Sequence, residues 1–212
     1  MTDVDRSLPL IERLRRFNAK ERYWLIRQVL GHFDPCPGFI RAVAAAIQVE
    51  EPRAGEVYAA MDYHLNWLWA ALTPHTPGDG MPAPRDAAHA NPIRNNQEDV
   101  DLLLAWERTD GVTQIVLGEA KCATPFTPGQ LESKWKRLAA IRHAADRRDR
   151  VDMKLLLISP PGTQPRKEWL APFVDLGLGD AWIPLSVDDW PDLGFWVVVP
   201  SEADSTRWLD WR

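Results

Sequence analysis

The sequence has few of the residues that mark specialised classes of protein. Its 212 residues include two cysteines, Cys36 and Cys122, which lie far apart and do not form a metal-ligand pair. Two such thiols do not provide the dense disulfide framework of small secreted domains, so we expect both to be reduced. The five histidines do not stand at zinc-site spacing from a cysteine or from one another, which argues against a structural zinc.

Long hydrophobic runs and an excess of positive charge are also missing. No apolar run approaches the roughly 18–20 residues of a membrane-spanning helix. Residues 1–6 are polar and lack the basic-then-apolar pattern of a signal peptide, so we predict a cytoplasmic protein without membrane contact. The formal net charge of −5 argues against a general polyanion-binding surface but is compatible with a local basic patch.

The composition is otherwise that of a globular protein with an unusual amount of tryptophan. Hydrophobic residues make up 45% and charged residues 26%, which excludes wholesale disorder and coiled-coil architecture. The length suits one domain, or one domain with an extension. We interpret the 11 tryptophans mainly as core and interface side chains, with base stacking by one of them as the alternative.

Helical periodicity dominates the first fifty residues, and strand patterns follow later in the chain. The predicted elements, in order, are helices over residues 10–17, 23–30, 37–47 and 56–72, a long loop over 73–92, a β-hairpin of strands over 100–106 and 113–117, a helix over 128–150, a strand over 155–158, a helix over 166–174, and strands over 182–185 and 195–199. This order predicts an α/β sandwich with a mixed sheet. We expect residues 1–50 to form a helical N-terminal extension and residues 51–212 the main domain, together in one compact unit.

Acidic residues and a lysine stand at the adjoining ends of the two hairpin strands. Asp101 opens the first strand, while Glu119 and Lys121 close the second. In a hairpin the start of one strand lies beside the end of the other, so Asp101 and Glu119 are expected to converge. Alternation along a strand points Glu119 and Lys121 to the same face. Glu98 and Asp99 compete with Asp101 for this role, and Asp101 is preferred because it abuts the apolar run.

This arrangement suits phosphodiester cleavage. Two carboxylates form a hard oxygen site for Mg²⁺ or Mn²⁺, which lowers the pKa of a bound water, and a lysine can orient that water. The alternative is a pair of charged strand ends joined in a surface salt bridge. Two other acid–x–lysine triplets fit less well: residues 132–134 fall in a helix, where residues two apart do not share a face, and residues 152–154 lack an acid-bearing hairpin partner.

The chain resembles the PD-(D/E)XK nuclease superfamily, which has the restriction-endonuclease-like fold. The resemblance rests on Asp101 followed by three leucines, on the hairpin, and on Gly118-Glu119-Ala120-Lys121. It implies an αβββαβ core with a mixed central sheet over about residues 55–160. The proline of the motif's name is absent, and Val100 stands in its place.

The resemblance also implies roles for individual residues. Asp101 and Glu119 would bind the metal, the carbonyl of Ala120 would be a further ligand, and Lys121 would be the catalytic lysine. It further implies an acid on the helix before the hairpin and a glutamine on the helix after it.

Asp62 or Glu56 corresponds to the acid that many members carry before the hairpin. Gln130 corresponds to the glutamine on the next helix. The alternatives are a solvated position for Asp62, a helix N-terminal acid for Glu56 and an ordinary first-turn residue for Gln130. His64 is interpreted as structural rather than as a general base.

The densest basic run of the chain follows Gln130. Lys134, Lys136 and Arg137 are expected to meet the phosphate backbone of a nucleic acid. The alternative is a solvated helix face, since acidic residues interleave with the basic ones.

Taken together, these patterns predict Mg²⁺- or Mn²⁺-dependent hydrolysis of nucleic-acid phosphodiesters, with DNA favoured over RNA. The expected partners are nucleic acid and either a second copy of the chain or another protein. The alternative function is a catalytically inactive nuclease-fold module that binds nucleic acid or acts in protein interaction within a defence or repair assembly.

Overall fold

The computed structural model describes residues 8–53, 55–73, 98–122, 124–144, 150–185, 198–200 and 208–211, the last two ranges by their backbone alone. The helices in these ranges are α1 (Leu10–Phe17), α2 (Glu21–Leu30), α3 (Pro37–Ala46), α4 (Leu65–Leu72), α5 (Pro128–Ala144) and α6 (Lys167–Asp175). The strands are β1 (Tyr58–His64), β2 (Asp99–Glu107), β3 (Thr113–Ala120), β4 (Val151–Ser159), β5 (Ala181–Pro184), β6 (Val198–Pro200) and β7 (Trp208–Trp211). Within these ranges, no helix combines the length and the apolar character needed to traverse a lipid bilayer.

Five strands form one mixed sheet in the order β1-β2-β3-β4-β5. The β1–β2 and β2–β3 pairs are antiparallel, whereas β3–β4 and β4–β5 are parallel. Parallel neighbours need crossover connections, and α5 and α6 provide them. The predicted α/β architecture with a mixed central sheet is therefore confirmed. The strands β6 and β7 form a separate antiparallel pair.

Buried apolar side chains on the two faces of this sheet hold helices against it. One cluster joins the sheet to α1, α4, α5 and α6, and includes Leu14, Leu68, Leu138 and Phe173. The other joins the sheet to α3, and includes Ile40, Val43 and Val116. Helices on both faces of a sheet make three layers, which is the arrangement that buries an apolar strand on both sides.

The helix predicted over residues 56–72 is wrong in its first half, where the structure has strand β1. The apolar residues at helical spacing, such as Val57 and Met61, produced that prediction. Tyr58 and Ala59 are both buried, however, although they point to opposite faces of the sheet. Antiparallel pairing with β2, which lies some forty residues later, favours the extended conformation over the local helical preference. Asp62 consequently lies on a strand and not on a helix.

Most of the remaining described elements follow the sequence prediction closely, but the sequence analysis did not predict strand β7. The hairpin is formed by β2 and β3, the next predicted strand is β4, and α1 to α3 occupy the first fifty residues. Leu10, Leu14 and Tyr23 belong to the same core as the sheet, so these helices pack onto the main domain. Cys36 and Cys122 are free thiols. The predicted loop from residue 74 onward, the end of the helix over 145–149, and residues 195–197 of the last strand lie outside the described residues.

Candidate active site

The candidate site lies where β2 and β3 separate from one another. Their ladder ends with Leu102 paired to Gly118, and the next residue of each strand is acidic, Asp101 and Glu119. Beyond this pair, the Asp101 side chain replaces a backbone carbonyl as the acceptor. Its Oδ2 accepts a hydrogen bond of 2.7 Å from the Ala120 N–H. A side-chain acceptor thus satisfies the Ala120 N–H, which has no backbone partner on β2 once the two strands diverge. We call this region the β2–β3 fork.

Glu119 is nearly enclosed at the fork and binds two ammonium groups. Its Oε1 accepts from Lys121 Nζ at 3.4 Å, and its Oε2 forms a short ion pair with Lys134 Nζ. The same Lys134 ammonium donates to the Asp99 carbonyl at 2.8 Å. The side chains of Lys134 and Glu119 are 8% and 11% exposed. One buried carboxylate therefore binds two cations, and with the neighbouring Asp101 carboxylate the fork holds two acidic and two basic groups.

The structure brings together four of the residues that the resemblance places in the site. Direct hydrogen bonds join Asp101 to Ala120 and Glu119 to Lys121. Asp99, the competitor of Asp101, instead pairs with Lys20 at 3.3 Å. Of the acidic residues at the start of β2, Asp101 is therefore the one whose carboxylate bonds directly to β3.

Of the two further residues implied by the resemblance, Asp62 lies on a strand and not on the expected helix, whereas Gln130 lies on the helix after the hairpin, as expected. Asp62 lies on β1 opposite Asp101, and its carboxylate pairs with Arg22 at 3.2 Å. The side chain of Gln130 is exposed in the first turn of α5, where the backbone N–H of Gln130 donates to Thr127 Oγ1. Glu56, the other candidate acid, is exposed and pairs with Arg53 at 3.8 Å. Gln130 and Glu56 are thus surface residues, whereas the side chain of Asp62 is only 16% exposed.

The alternation of side chains between the two faces of the sheet is interrupted at Asp62 in β1 and at Asp101 in β2. Val100 and Leu103 stand three positions apart on β2 yet face the same hydrophobic cluster, which breaks the period of two. Asp62, on the neighbouring strand, has a φ of 48°, which non-glycine residues rarely adopt. The register of β1 against β2 is the same on both sides of this point. The irregularity is therefore shared by the two strands and lies beside the fork.

The three basic residues predicted to bind nucleic acid do not share one surface. Lys136 is exposed and pairs with Glu132 at 2.6 Å, whereas Lys134 and Arg137 are buried. Arg137 donates to Asn66 Oδ1, which ties α5 to α4. The alternative of a solvated helix face is therefore wrong for Lys134 and Arg137, because their side chains turn inward. Contact of the three residues with a phosphate backbone stays a prediction.

Lys134 is the site residue whose partner the sequence did not predict. The sequence prediction assigned it to nucleic-acid binding and set aside the triplet at residues 132–134. Its position relative to Leu131 and Leu138, three residues before it and four after, places it on the buried face of α5. A lysine within an apolar helical stripe was the available signal, since a buried lysine needs a partner.

His64 lies at the end of β1, and its environment favours the neutral imidazole. Burial lowers the pKa of His64, and the nearby Lys20 lowers it further, while the carboxylates of Asp99, Asp62 and Glu21 act in the opposite direction. The ring packs edge-on against Trp67, with centroids 4.2 Å apart. These contacts agree with the structural role expected for His64.

The free energy of unfolding is expected to fall as the pH is lowered through about 6.5, the ordinary pKa of histidine. Because the folded-state pKa of His64 is lowered, the unfolded chain takes up the proton first, and stability declines until the folded pKa is passed. His64→Gln should flatten this part of the profile in urea unfolding, whereas His32→Gln, an exposed control, should not. Identical profiles for His64→Gln and the unaltered protein would contradict this assignment.

Comparisons with protein-family models, with curated proteins and with solved structures found no match. Within the described residues, no group of three or more His, Cys, Asp and Glu side chains is arranged to hold a metal. The oxygen donors at the fork are two carboxylates and the Asp99 carbonyl, and the resemblance implies the Ala120 carbonyl as a further ligand. These donors and the two lysines beside them are the groups at the fork that can take part in chemistry.

Proposed function

We propose that this protein is a divalent-metal-dependent nuclease of the PD-(D/E)XK type, which hydrolyses phosphodiester bonds of nucleic acid, with DNA as the favoured substrate. The observation that carries the proposal is the buried Glu119 carboxylate, which binds Lys121 and Lys134 beside Asp101. Two carboxylates and two ammonium groups meet at one strand end, so oxygen donors for a metal stand beside cations that can attract a phosphate.

The connectivity of the sheet supports the same proposal. The resemblance implies a helix, three strands, a helix and a strand. In this chain α3 precedes β1, the strands β1, β2 and β3 are adjacent and antiparallel, and α5 then leads to the parallel strand β4. The departure from that order is α4, which is inserted between β1 and β2. The fork at the end of β3 stands where the motif residues are expected.

The donor chemistry at the fork fits Mg²⁺ or Mn²⁺, which prefer oxygen ligands. Asp101 uses Oδ2 for the Ala120 N–H and keeps Oδ1 for another partner. The Lys134 ammonium already joins the Glu119 carboxylate to the Asp99 carbonyl, so a cation lies among oxygen donors. When bound, the metal would lower the pKa of a water ligand and stabilise negative charge on the phosphate.

The chain's own residues perform the other tasks in this proposal. Lys121 is the more exposed of the two lysines, with 18% of its side chain accessible, and donates to the attacking water or to a phosphate oxygen. Asp101 fixes the end of β3 through the Ala120 N–H, which holds the neighbouring Glu119 in place. Lys134 occupies part of the cation site and has to withdraw from Glu119 when a metal enters.

The second candidate is a catalytically inactive module with the same fold, which acts in nucleic-acid binding or in protein interaction. Both carboxylate oxygens of Glu119 already bind an ammonium, so the charge of Glu119 is compensated without a metal. The exposed apolar residues Leu25, Val29 and Leu30 on α2 also favour a protein contact. Absence of Mn²⁺ binding in calorimetry would support this candidate.

The proposal is tested by incubating DNA and RNA with the protein in Mg²⁺, in Mn²⁺ and in EDTA. We expect cleavage in the presence of metal and none in EDTA. Lys121→Gln should lower the rate by about a hundredfold, which is typical of losing one donor to developing charge. Lys167→Gln, a matched change of an exposed lysine at the start of α6, should have little effect. Cleavage that persists in EDTA, or an equal loss in both variants, would reject the proposal.

A further inference from the structure

A second concave site lies on the opposite part of β1, away from the fork. A cavity of about 390 Å³ opens between α1, α2 and the start of β1, and its volume falls in the roughly 300–1,000 Å³ range of small-molecule pockets. Tyr58, in its wall, stands four residues before Asp62, which corresponds to about 13 Å along the strand. This cavity is therefore separate from Glu119 and Lys121.

Aromatic rings form much of the cavity wall. Tyr23 is buried and contacts the rings of Trp24 and Phe33 edge-on, with centroids 5.4 Å and 5.7 Å away. Trp24 is 54% exposed, yet its indole N–H donates to the Asn18 carbonyl at 3.0 Å. An exposed ring that is held by a hydrogen bond presents a fixed flat surface, which suits stacking with a planar ligand.

Two arginines line the same cavity and keep their charge available. The Arg15 guanidinium lies 5.5 Å from the centroid of the Tyr58 ring, and that of Arg27 lies 5.7 Å from the Tyr23 ring. These contacts orient the guanidinium groups without neutralising them. Burial raises the pKa of Tyr58 to about 12, so its hydroxyl stays uncharged beside Arg15.

The other polar contacts of these arginines are weak or neutral. Arg15 stands 4.0 Å from the Glu12 carboxylate, at the limit of an ion pair, and Arg27 donates to the neutral Tyr23 hydroxyl at 3.3 Å. Asp34 is the acidic residue among those that line the cavity, against two arginines. The lining thus combines an excess of positive charge with aromatic surface.

We propose that this cavity binds a nucleotide, with the base stacked on Trp24 and the phosphate held by Arg15 and Arg27. Asp34 can accept a hydrogen bond from a base amino group or a sugar hydroxyl. An uncharged apolar ligand would desolvate the arginines without compensation, and inorganic phosphate would leave the aromatic surface unused. The nucleotide is either a free mononucleotide or one residue of a single strand. The inference does not depend on the metal or on the fork.

The test measures binding to the full chain in EDTA, with adenosine monophosphate, inorganic phosphate and a labelled short single-stranded DNA as probes. Arg15→Gln combined with Arg27→Gln should weaken nucleotide binding at least about tenfold, and Trp24→Ala at least about fivefold. Arg16→Gln is the matched control, because Arg16 neighbours Arg15 and also pairs with Glu12 but does not line the cavity. Thermal unfolding of each variant verifies that the fold is intact.

Each outcome decides the inference. If adenosine monophosphate binds and the arginine and Trp24 variants weaken it as expected, the ligand is a free nucleotide. If only the single-stranded DNA binds and the same variants weaken it, the ligand is a nucleotide within a strand. Both results support the site. Binding of neither probe overturns it, and so does an equal loss in Arg16→Gln. Competition by inorganic phosphate at the same affinity, with no effect of Trp24→Ala, also overturns it. Because EDTA removes the divalent metal, the binding assay does not depend on nuclease activity. Its result can therefore be interpreted even if the nuclease proposal fails.

Discussion

Replacement of Glu119 by glutamine is expected to lower metal-dependent cleavage by at least about a thousandfold. Glutamine preserves the size of the side chain but removes the charge that would hold both the metal and the two lysines. A metal contributes several kcal/mol of transition-state stabilisation, and each 1.36 kcal/mol corresponds to a tenfold change in rate. The measurement is single-turnover cleavage in Mg²⁺ at saturating protein.

Two further variants separate loss of the site from loss of the fold. Glu119→Gln leaves Lys134 buried without its counter-ion, which costs about 3–5 kcal/mol in typical cases. The double variant Glu119→Gln with Lys134→Met removes both charges and should recover most of that stability while cleavage stays lost. Glu132→Gln, an exposed glutamate on α5, should retain activity. If Glu119→Gln cleaves within about tenfold of the unaltered protein, the proposed site is wrong.

The variant Lys134→Met is expected to tighten Mn²⁺ binding by at least about tenfold. Lys134 holds Glu119 Oε2 and the Asp99 carbonyl, so an entering cation must displace an ammonium and also meets its repulsion. Methionine fills similar space without charge, and Lys121 still neutralises Glu119. Isothermal titration with Mn²⁺ measures the change, and the change does not require activity.

Lys136→Met is the control for this experiment because Lys136 lies two residues away on α5 but is exposed. It should change Mn²⁺ affinity by no more than about twofold. If Lys134→Met leaves the affinity unchanged or weakens it, Lys134 does not compete with the metal. The nuclease proposal would then have to place the metal elsewhere at the fork.

The hairpin and its acidic ends were predictable because the information is local. An apolar run, a turn and a second apolar run specify the β2–β3 pair, and strand alternation then places Glu119 and Lys121 on one face. The helices α1 and α3 were likewise predictable from apolar spacing. In each of these elements, short-range periodicity and tertiary contacts favour the same structure, whereas most apolar side chains of α2 are exposed.

The features that the sequence did not predict are those that depend on contacts between distant parts of the chain. Strand β1 is extended because it pairs with β2, and local helical spacing does not contain that information. Lys134 belongs to the fork because α5 crosses over β3 and brings its buried face toward Glu119. The partner of a buried lysine becomes visible only when the packing of α5 on the sheet is known.

The irregular residue Asp62 also bears on the solubility of this fold. Strand β1 is the outermost strand of the five-stranded sheet, and such a strand exposes backbone groups on which another chain can polymerise. A left-handed backbone angle and a charged side chain in mid-strand are both obstacles to intermolecular strand addition. We therefore expect Asp62 to disfavour the addition of a further strand to β1, at the edge nearest the fork.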